Sequence, residues 1–252
     1  MSDDRIIHNP DTGITYVMLG IDDILKCVKL SGDFSKFEAW GGNDASKRDN
    51  AENYGAGILN NSKDTRKTER QGLYGEVAFN ILTGLPMDEV VREKGNDWDF
   101  TYSFKNTYRH LDVKNTGSFR DRCGKGEFMI KNSDWRYGPK KIYPLKSDAY
   151  FFTHHLVLLD NSNQKHEIFG PKVSKIIVKM NGAISKKRIE SNREERVGPS
   201  PISWAKWDNI YVRDSELVRP MDFFRQVGLK VTSFLPYEEC FNGIWKGLEQ
   251  YV

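Results

Sequence analysis

Residues 95–116 read "GNDWDFTYSFKNTYRHLDVKNT", and the way this stretch folds decides the rest. Apolar and polar residues alternate on both sides of Asn106, the pattern of a half-buried β-hairpin. If Asn106 and Thr107 make a two-residue turn, Lys105 faces Tyr108, Ser103 faces His110, Thr101 faces Asp112 and Asp99 faces Lys114. Opposed residues share a face, as do alternate residues along a strand. Phe100, Tyr102, Phe104, Leu111 and Val113 then line one face, which explains why the hairpin folds. Asp99, Asp112 and Lys114 gather on the other, near one end.

A lone Asp-x-Lys is common and reads first as a solvated ion pair of small worth. Three neighbours sharpen it. Asp99 falls opposite Lys114. Asp97 and Asp99 form "DWDF" just ahead of the first strand. Glu76 lies in the first turns of an amphipathic helix, "RQGLYGEVAFNILTGLP", in which Leu73, Val77 and Leu82 carry the apolar face and Gly84 and Pro86 mark the end.

Upstream, Ile14 to Leu30 mixes apolar and charged residues at helical spacing, so a helix is expected there. Gly41 to Arg70 is polar and reads as a loop. Downstream, Asp148 to Leu159, "DAYFFTHHLVLL", reads as a buried strand, "NSNQK" as a turn and "HEIFG" as a short strand. "PKVSKIIVKM", with Pro171 at a plausible helix start, reads as a helix packed on the sheet. A last helix is expected to start near Tyr237. The fold class is therefore α/β (α+β), a mixed sheet of four or more strands flanked by helices. Residues 1–69 are expected to form an N-terminal helix and polar loop region, 70–180 the core, and 181–252 an extension packed on it.

The chain has 252 residues, ample for a real core. Its net charge of +3 is too mild to identify a partner, so the distribution of charge matters more than the total. Cys27, Cys123 and Cys240 are far apart and make no CxxC pair, which argues against a zinc ribbon or a disulfide framework. The polar start "MSDDRIIHNPDTG" has no apolar core of signal-peptide type, and no apolar stretch is long enough for a membrane span. A cytoplasmic protein without membrane contact is expected.

With those residues assembled, the chain resembles the PD-(D/E)XK (restriction-endonuclease-like) nuclease superfamily, in the manner of its phage and bacterial members. "GLYGEVAF" is similar to the family's acidic helix, "DWDF" to its first-strand acid and "LDVKNT" to its acid-x-lysine strand. "SDAYFF" and "HEIFGPKVSKIIVK" are similar to the strands and helix that follow. The resemblance covers about Arg70 to Met180 and lacks the proline that precedes the first-strand acid. It implies that Asp99 and Asp112 bind Mg²⁺, with Mn²⁺ as a substitute. The Val113 carbonyl would be a further oxygen ligand, with Asp97 as another candidate. Lys114 would position or activate the attacking water, and Glu76 would complete the metal shell, or hold a second ion or Lys114. Hard oxygen donors suit Mg²⁺, and lysine neutralises charge developing on phosphate.

Plainer readings stand beside these. Glu76 also reads as a surface helix residue, Asp97 as a turn or cap residue, and His110 as a polar-face strand residue. His154 and His155 are adjacent and point to opposite strand faces, a poor metal pair. No Walker-type lysine follows Gly72 and Gly75.

Nucleic acid is the substrate implied, DNA ahead of RNA. Between Lys165 and Ser200 there are nine Lys or Arg and four Asp or Glu. Within that segment Lys172, Lys175, Lys186, Lys187 and Arg188 are candidate phosphate contacts. Lys63, Arg66, Lys67 and Arg70 form a second cluster. The six tryptophans are candidates for stacking on unpaired bases, although packing in the core competes. The function expected is a Mg²⁺-dependent DNA endonuclease. An exonuclease, an RNase or structure-specific nuclease on the same site, a non-catalytic nucleic-acid-binding protein, and a homodimer all stay open.

Overall fold

The hairpin turns one residue earlier than the sequence reading places it. A computed structural model of the chain describes residues 3–37, 66–89, 98–117, 121, 124–136, 138–159, 165–166, 170–171, 173–201 and 205–252. In chain order the elements are β1 (Ile6–Asn9), β2 (Ile14–Leu19), α1 (Ile21–Phe37), α2 (Arg66–Thr83), β3 (Phe100–Phe104) and β4 (Thr107–Thr116). There follow β5 (Phe128–Asp134), β6 (Lys141–Ile142), β7 (Ala149–Leu159), β8 (Lys165–His166), β9 (Gly170–Pro171) and β10 (Val173–Ser185). The last elements are α3 (Lys186–Ser191), α4 (Arg193–Arg196), β11 (Val197–Pro199), β12 (Trp207–Val212), α5 (Pro220–Val227) and α6 (Tyr237–Cys240).

A six-stranded sheet runs in the order β1-β2-β10-β7-β4-β3. Its neighbours are antiparallel, except that β4 and β7 run parallel. One face carries the helices: Leu73, Val77 and Phe79 of α2 and Phe224 of α5 pack with Val113 and Phe151. The other face is covered by a second, four-stranded sheet of order β11-β12-β5-β6. There Tyr150 and Phe152 of β7 pack against Phe128, Ile130, Ile210 and Val212. Beyond them the C-terminal segment covers Tyr16, Met18 and Ile177 with the fully buried Trp245, whose Nε1 donates to the Asp4 carbonyl at 2.9 Å. The expected class, a mixed α/β fold with its main sheet flanked by helices, holds. No described helix is long and apolar enough to cross a membrane.

Four expectations are corrected. The turn is Lys105-Asn106, not Asn106-Thr107, and Phe104 pairs with Thr107. Both turn residues have positive φ, 48° and 59°. A two-residue hairpin turn of this kind needs that conformation at both positions, which asparagine tolerates and β-branched threonine does not. Ile14–Leu19 is a strand, not the start of a helix, and is buried throughout, so it lacks the polar alternation that marks a half-exposed strand. The helix begins only at Ile21, with the Asp23 carboxylate accepting the Gly20 N–H at 3.0 Å. Residues 173–180 are a strand as well. The β-branched Ile176 and Val178 fill the helix-side core and Ile177 the opposite side, as an interior strand between β2 and β7 requires. Finally, α2 starts at Arg66, so the expected loop does not extend to Arg70; residues 38–65 lie outside the described residues.

Candidate active site

The site grows from the end of the β3–β4 hairpin. Thr101 pairs with His110 and Phe100 with Leu111. Asp99, one residue before β3, therefore lies beside Leu111–Val113 and not opposite Lys114. Its backbone N–H donates to the Leu111 carbonyl at 3.0 Å. Its Oδ2 accepts the Val113 N–H at 2.6 Å. The shift from the expected register is by two positions, so the parity survives: Phe100, Tyr102, Leu111 and Val113 are buried in the helix-side core. Asp112 and Lys114 point away from it, and the Lys114 Nζ lies 2.6 Å from Asp112 Oδ1.

Helix α2 brings Glu76 to this place because Gly75 lets it come close. A Cβ on Gly75 would stand 2.6 Å from Thr153 Oγ1 and 2.9 Å from Asn115 Cβ. Asn115 fastens the helix to the strand. Its Nδ2 donates to the Gln71 carbonyl and meets His155 Nδ1 at 2.8 Å, while its Oδ1 accepts from Thr153 at 2.8 Å. Burial, then neighbouring His154, pulls His155 down to about 4, so its ring is neutral and Nδ1 is free to accept.

Burial pushes the Asp99 carboxyl well above its ordinary range, and the Glu76 and Asp112 charges and a hydrogen bond with Asp112 push the same way, against Lys114. For Lys114, burial opposes the charge, but Asp112, Asp99, the hydrogen bond to Asp112 and Glu76 together outweigh it. The ammonium stays protonated, above its ordinary range. One cation, paired with Asp112, thus lies within the electrostatic reach of two more carboxyl groups, Asp99 and Glu76, in a partly closed place.

Comparison with family models, with curated proteins and with solved structures found no match in any of the three.

Among the described residues no group of three or more Asp, Glu, His or Cys is arranged to hold a metal ion. Mg²⁺ does not need one, since it is commonly held by one or two carboxylates and keeps several waters. Asp99 and Asp112, hydrogen-bonded to each other through a shared proton that a cation would displace, fit that requirement.

The remaining predicted residues are scattered. Asp97 and Lys172 lie outside the described residues, as does the side chain of Arg70. Lys175 donates to the Ile244 carbonyl at 3.2 Å and so holds the C-terminal segment. Lys186, Lys187 and Arg188 open α3 and line a groove of about 520 Å³ with Tyr102, Phe104 and Arg109. Lys186 reaches the Leu145 carbonyl at 2.7 Å. Two features went unread in the sequence. Trp98 stacks on His110 with ring centres 3.7 Å apart. Asn115 was overlooked too, although a polar residue in line with Leu111 and Val113 on the apolar face was the available signal.

Proposed function

We propose that the chain is a Mg²⁺-dependent phosphodiesterase that cleaves nucleic acid, DNA first, as its resemblance to PD-(D/E)XK nucleases implies. The observation that carries this reading is the meeting of Asp99, held on the Val113 N–H at 2.6 Å, with Asp112 and its Lys114 partner at 2.6 Å, within electrostatic reach of Glu76. Surplus acid around one charged lysine, with hard oxygen donors, is what cleavage of a phosphodiester by a metal ion calls for. The order of the parts supports it too: an acid-bearing helix, then a hairpin whose second strand holds Asp112-Val113-Lys114.

Asp99 and Asp112 would hold Mg²⁺, with the Val113 carbonyl as a further donor and Mn²⁺ as a substitute. When bound, the ion supplies charge stabilisation at the phosphate and a water of lowered pKa. Lys114, kept as an ammonium, donates to the phosphate oxygens as negative charge builds on them. In that state it is a donor and not a base. Glu76 raises the affinity of both Lys114 and Asp99 for their protons. Lys187 and Arg188, exposed and without an ion pair among the described residues, offer phosphate contacts beyond the site.

The test is cleavage of plasmid, linear duplex, single-stranded DNA and RNA by metal-stripped protein given Mg²⁺, Mn²⁺, Ca²⁺ or EDTA. Turnover with Mg²⁺ and Mn²⁺, and little with Ca²⁺, is expected. Undiminished cleavage in excess EDTA would overturn the reading.

A further inference from the structure

Five cation–ring contacts concentrate on one side of the second sheet and the chain next to it. Lys131 of β5 stands opposite Asn209, on the side away from the buried Ile130 and Ile210. Its ammonium lies 5.4 Å from the centre of the Tyr143 ring and 5.8 Å from that of Trp207. The Arg136 guanidinium lies 5.0 Å from Trp207, Lys140 lies 5.2 Å from Trp135, and Lys141 lies 5.6 Å from Tyr143. Two carboxylates hold the cations in place. Asp134 binds both Lys131 at 2.6 Å and Arg136 at 2.7 Å, and Asp208 binds Lys140 at 2.6 Å. Four cations against two acids leave two positive charges in surplus, and Lys141 has no carboxylate partner among the described residues. The three rings are only partly buried.

We propose that this surface is a stacking platform for single-stranded nucleic acid. Unpaired bases stack on aromatic faces and on guanidinium planes whatever their sequence, while phosphates meet nearby cations. A duplex keeps its bases stacked on one another and cannot use the rings. An acidic polypeptide is the competing occupant, but two surplus charges are few for recognising a polyanion by charge alone, and the rings would go unused. Ion pairs hold the cations beside the rings in advance; a base that stacks takes the ring face from a lysine, whose ammonium then meets the neighbouring phosphate. The platform rests on the nuclease reading only for its purpose, holding an unpaired strand. Binding itself needs neither metal nor cleavage.

The experiment measures binding of the full chain to labelled oligothymidine, and to a duplex of equal length, in EDTA. Oligothymidine should quench tryptophan fluorescence and bind more tightly than the duplex. Trp207→Ala and Tyr143→Ala should each weaken oligothymidine binding by roughly fivefold or more, with duplex binding unchanged, and Trp207→Phe should restore most of the loss. Lys141→Glu, at an exposed position, should also weaken oligothymidine binding at low salt and serves if a ring variant fails to fold. Oligothymidine affinity indifferent to these changes, equal losses on duplex, or equal displacement by poly-glutamate would overturn the proposal. A protein that binds through these rings yet cleaves nothing contradicts the nuclease reading alone. One that cleaves but ignores the substitutions contradicts the platform alone.

Discussion

The Asp99 carboxylate accepts the backbone N–H of Val113 at 2.6 Å. The acid ahead of one strand is thereby docked on the middle residue of Asp112-Val113-Lys114 on the next. A carboxylate held by the backbone has little freedom to swing away, so the spacing between Asp99 and Asp112 is set by the hairpin itself. Moving either acid means breaking the end of the ladder.

That closeness has a cost in stability which a cation would relieve. Burial first, then Glu76 and Asp112, raise Asp99 above its ordinary range. The folded carboxyl keeps its proton where the unfolded one has lost it, so stability falls as pH rises from near 4 through the folded pKa. At neutral pH, Asp99→Asn should stabilise the metal-free protein. A gain of the order of 1 kcal/mol would appear as roughly 2–4 °C in Tm. Mg²⁺ should raise the Tm of the parent and leave that of the variant unchanged. Calorimetry decides; a lower Tm for the metal-free variant would contradict the electrostatics.

Lys114→Ala should have the opposite effect on the apo protein, because it strips Asp112 of its partner at 2.6 Å. Its Tm should fall while its circular dichroism stays that of the parent. Cleavage should drop by about 100-fold or more, the usual effect of losing a donor aimed at developing charge, with nucleic-acid binding retained. Single-turnover rates beside a binding isotherm separate the two. Full activity in a folded variant would make the lysine decorative.

Gly75→Ala probes how closely α2 must sit. The added methyl would meet Thr153 Oγ1 at 2.6 Å, so the helix or the strand has to move. Overpacking of this kind costs about 1–3 kcal/mol, to be read from urea unfolding. Cleavage should fall as well, since Glu76 moves with the helix. An unchanged midpoint would show that the contact gives way freely.

His155 gives the acid limb of the stability profile. Burial and His154 lower it to about 4, whereas the unfolded residue titrates near 6.5. Its contribution is complete above about 6.5 and is lost as pH falls toward 4, a change of the order of 3 kcal/mol. Asp99 acts with the opposite sign in part of this range, so the comparison must be with His155→Gln and not with the raw profile. Urea midpoints at pH 7 and pH 4.5 should converge in the variant. The same pH gap in both proteins would place the acid limb elsewhere.

Much of this was legible in the sequence, for reasons that also explain the failures. Strand parity depends only on alternation, so the apolar face of Phe100, Tyr102, Leu111 and Val113 survived a misplaced turn. Register depends on which residues accept positive φ, and there Lys105 and Asn106 outranked the expected Asn106-Thr107. Strands β2 and β10 were missed because interior strands buried on both faces lose the period-two signal. Pro171 then invited a helical reading of a segment rich in Ile and Val. The second sheet was not anticipated at all: β6 has two residues, and β5 meets β12 across about 80 residues of chain. The site residues were found by their charge. Asn115 was not, because its importance lies in three partners on two distant elements, α2 and β7.

If Asp112, paired with Lys114 and hydrogen-bonded to Asp99, belongs to a metal-dependent centre that cleaves phosphodiesters, loss of its charge must silence the protein. The most direct measurement compares parent and Asp112→Asn protein, purified identically and stripped of metal, for cleavage of plasmid DNA with Mg²⁺ at enzyme excess. Cleavage by the parent, silenced by EDTA, is expected, with none above background by the variant at equal Tm or better. Equal cleavage by the two proteins, or none by the parent on any nucleic acid with Mg²⁺ or Mn²⁺, would contradict it.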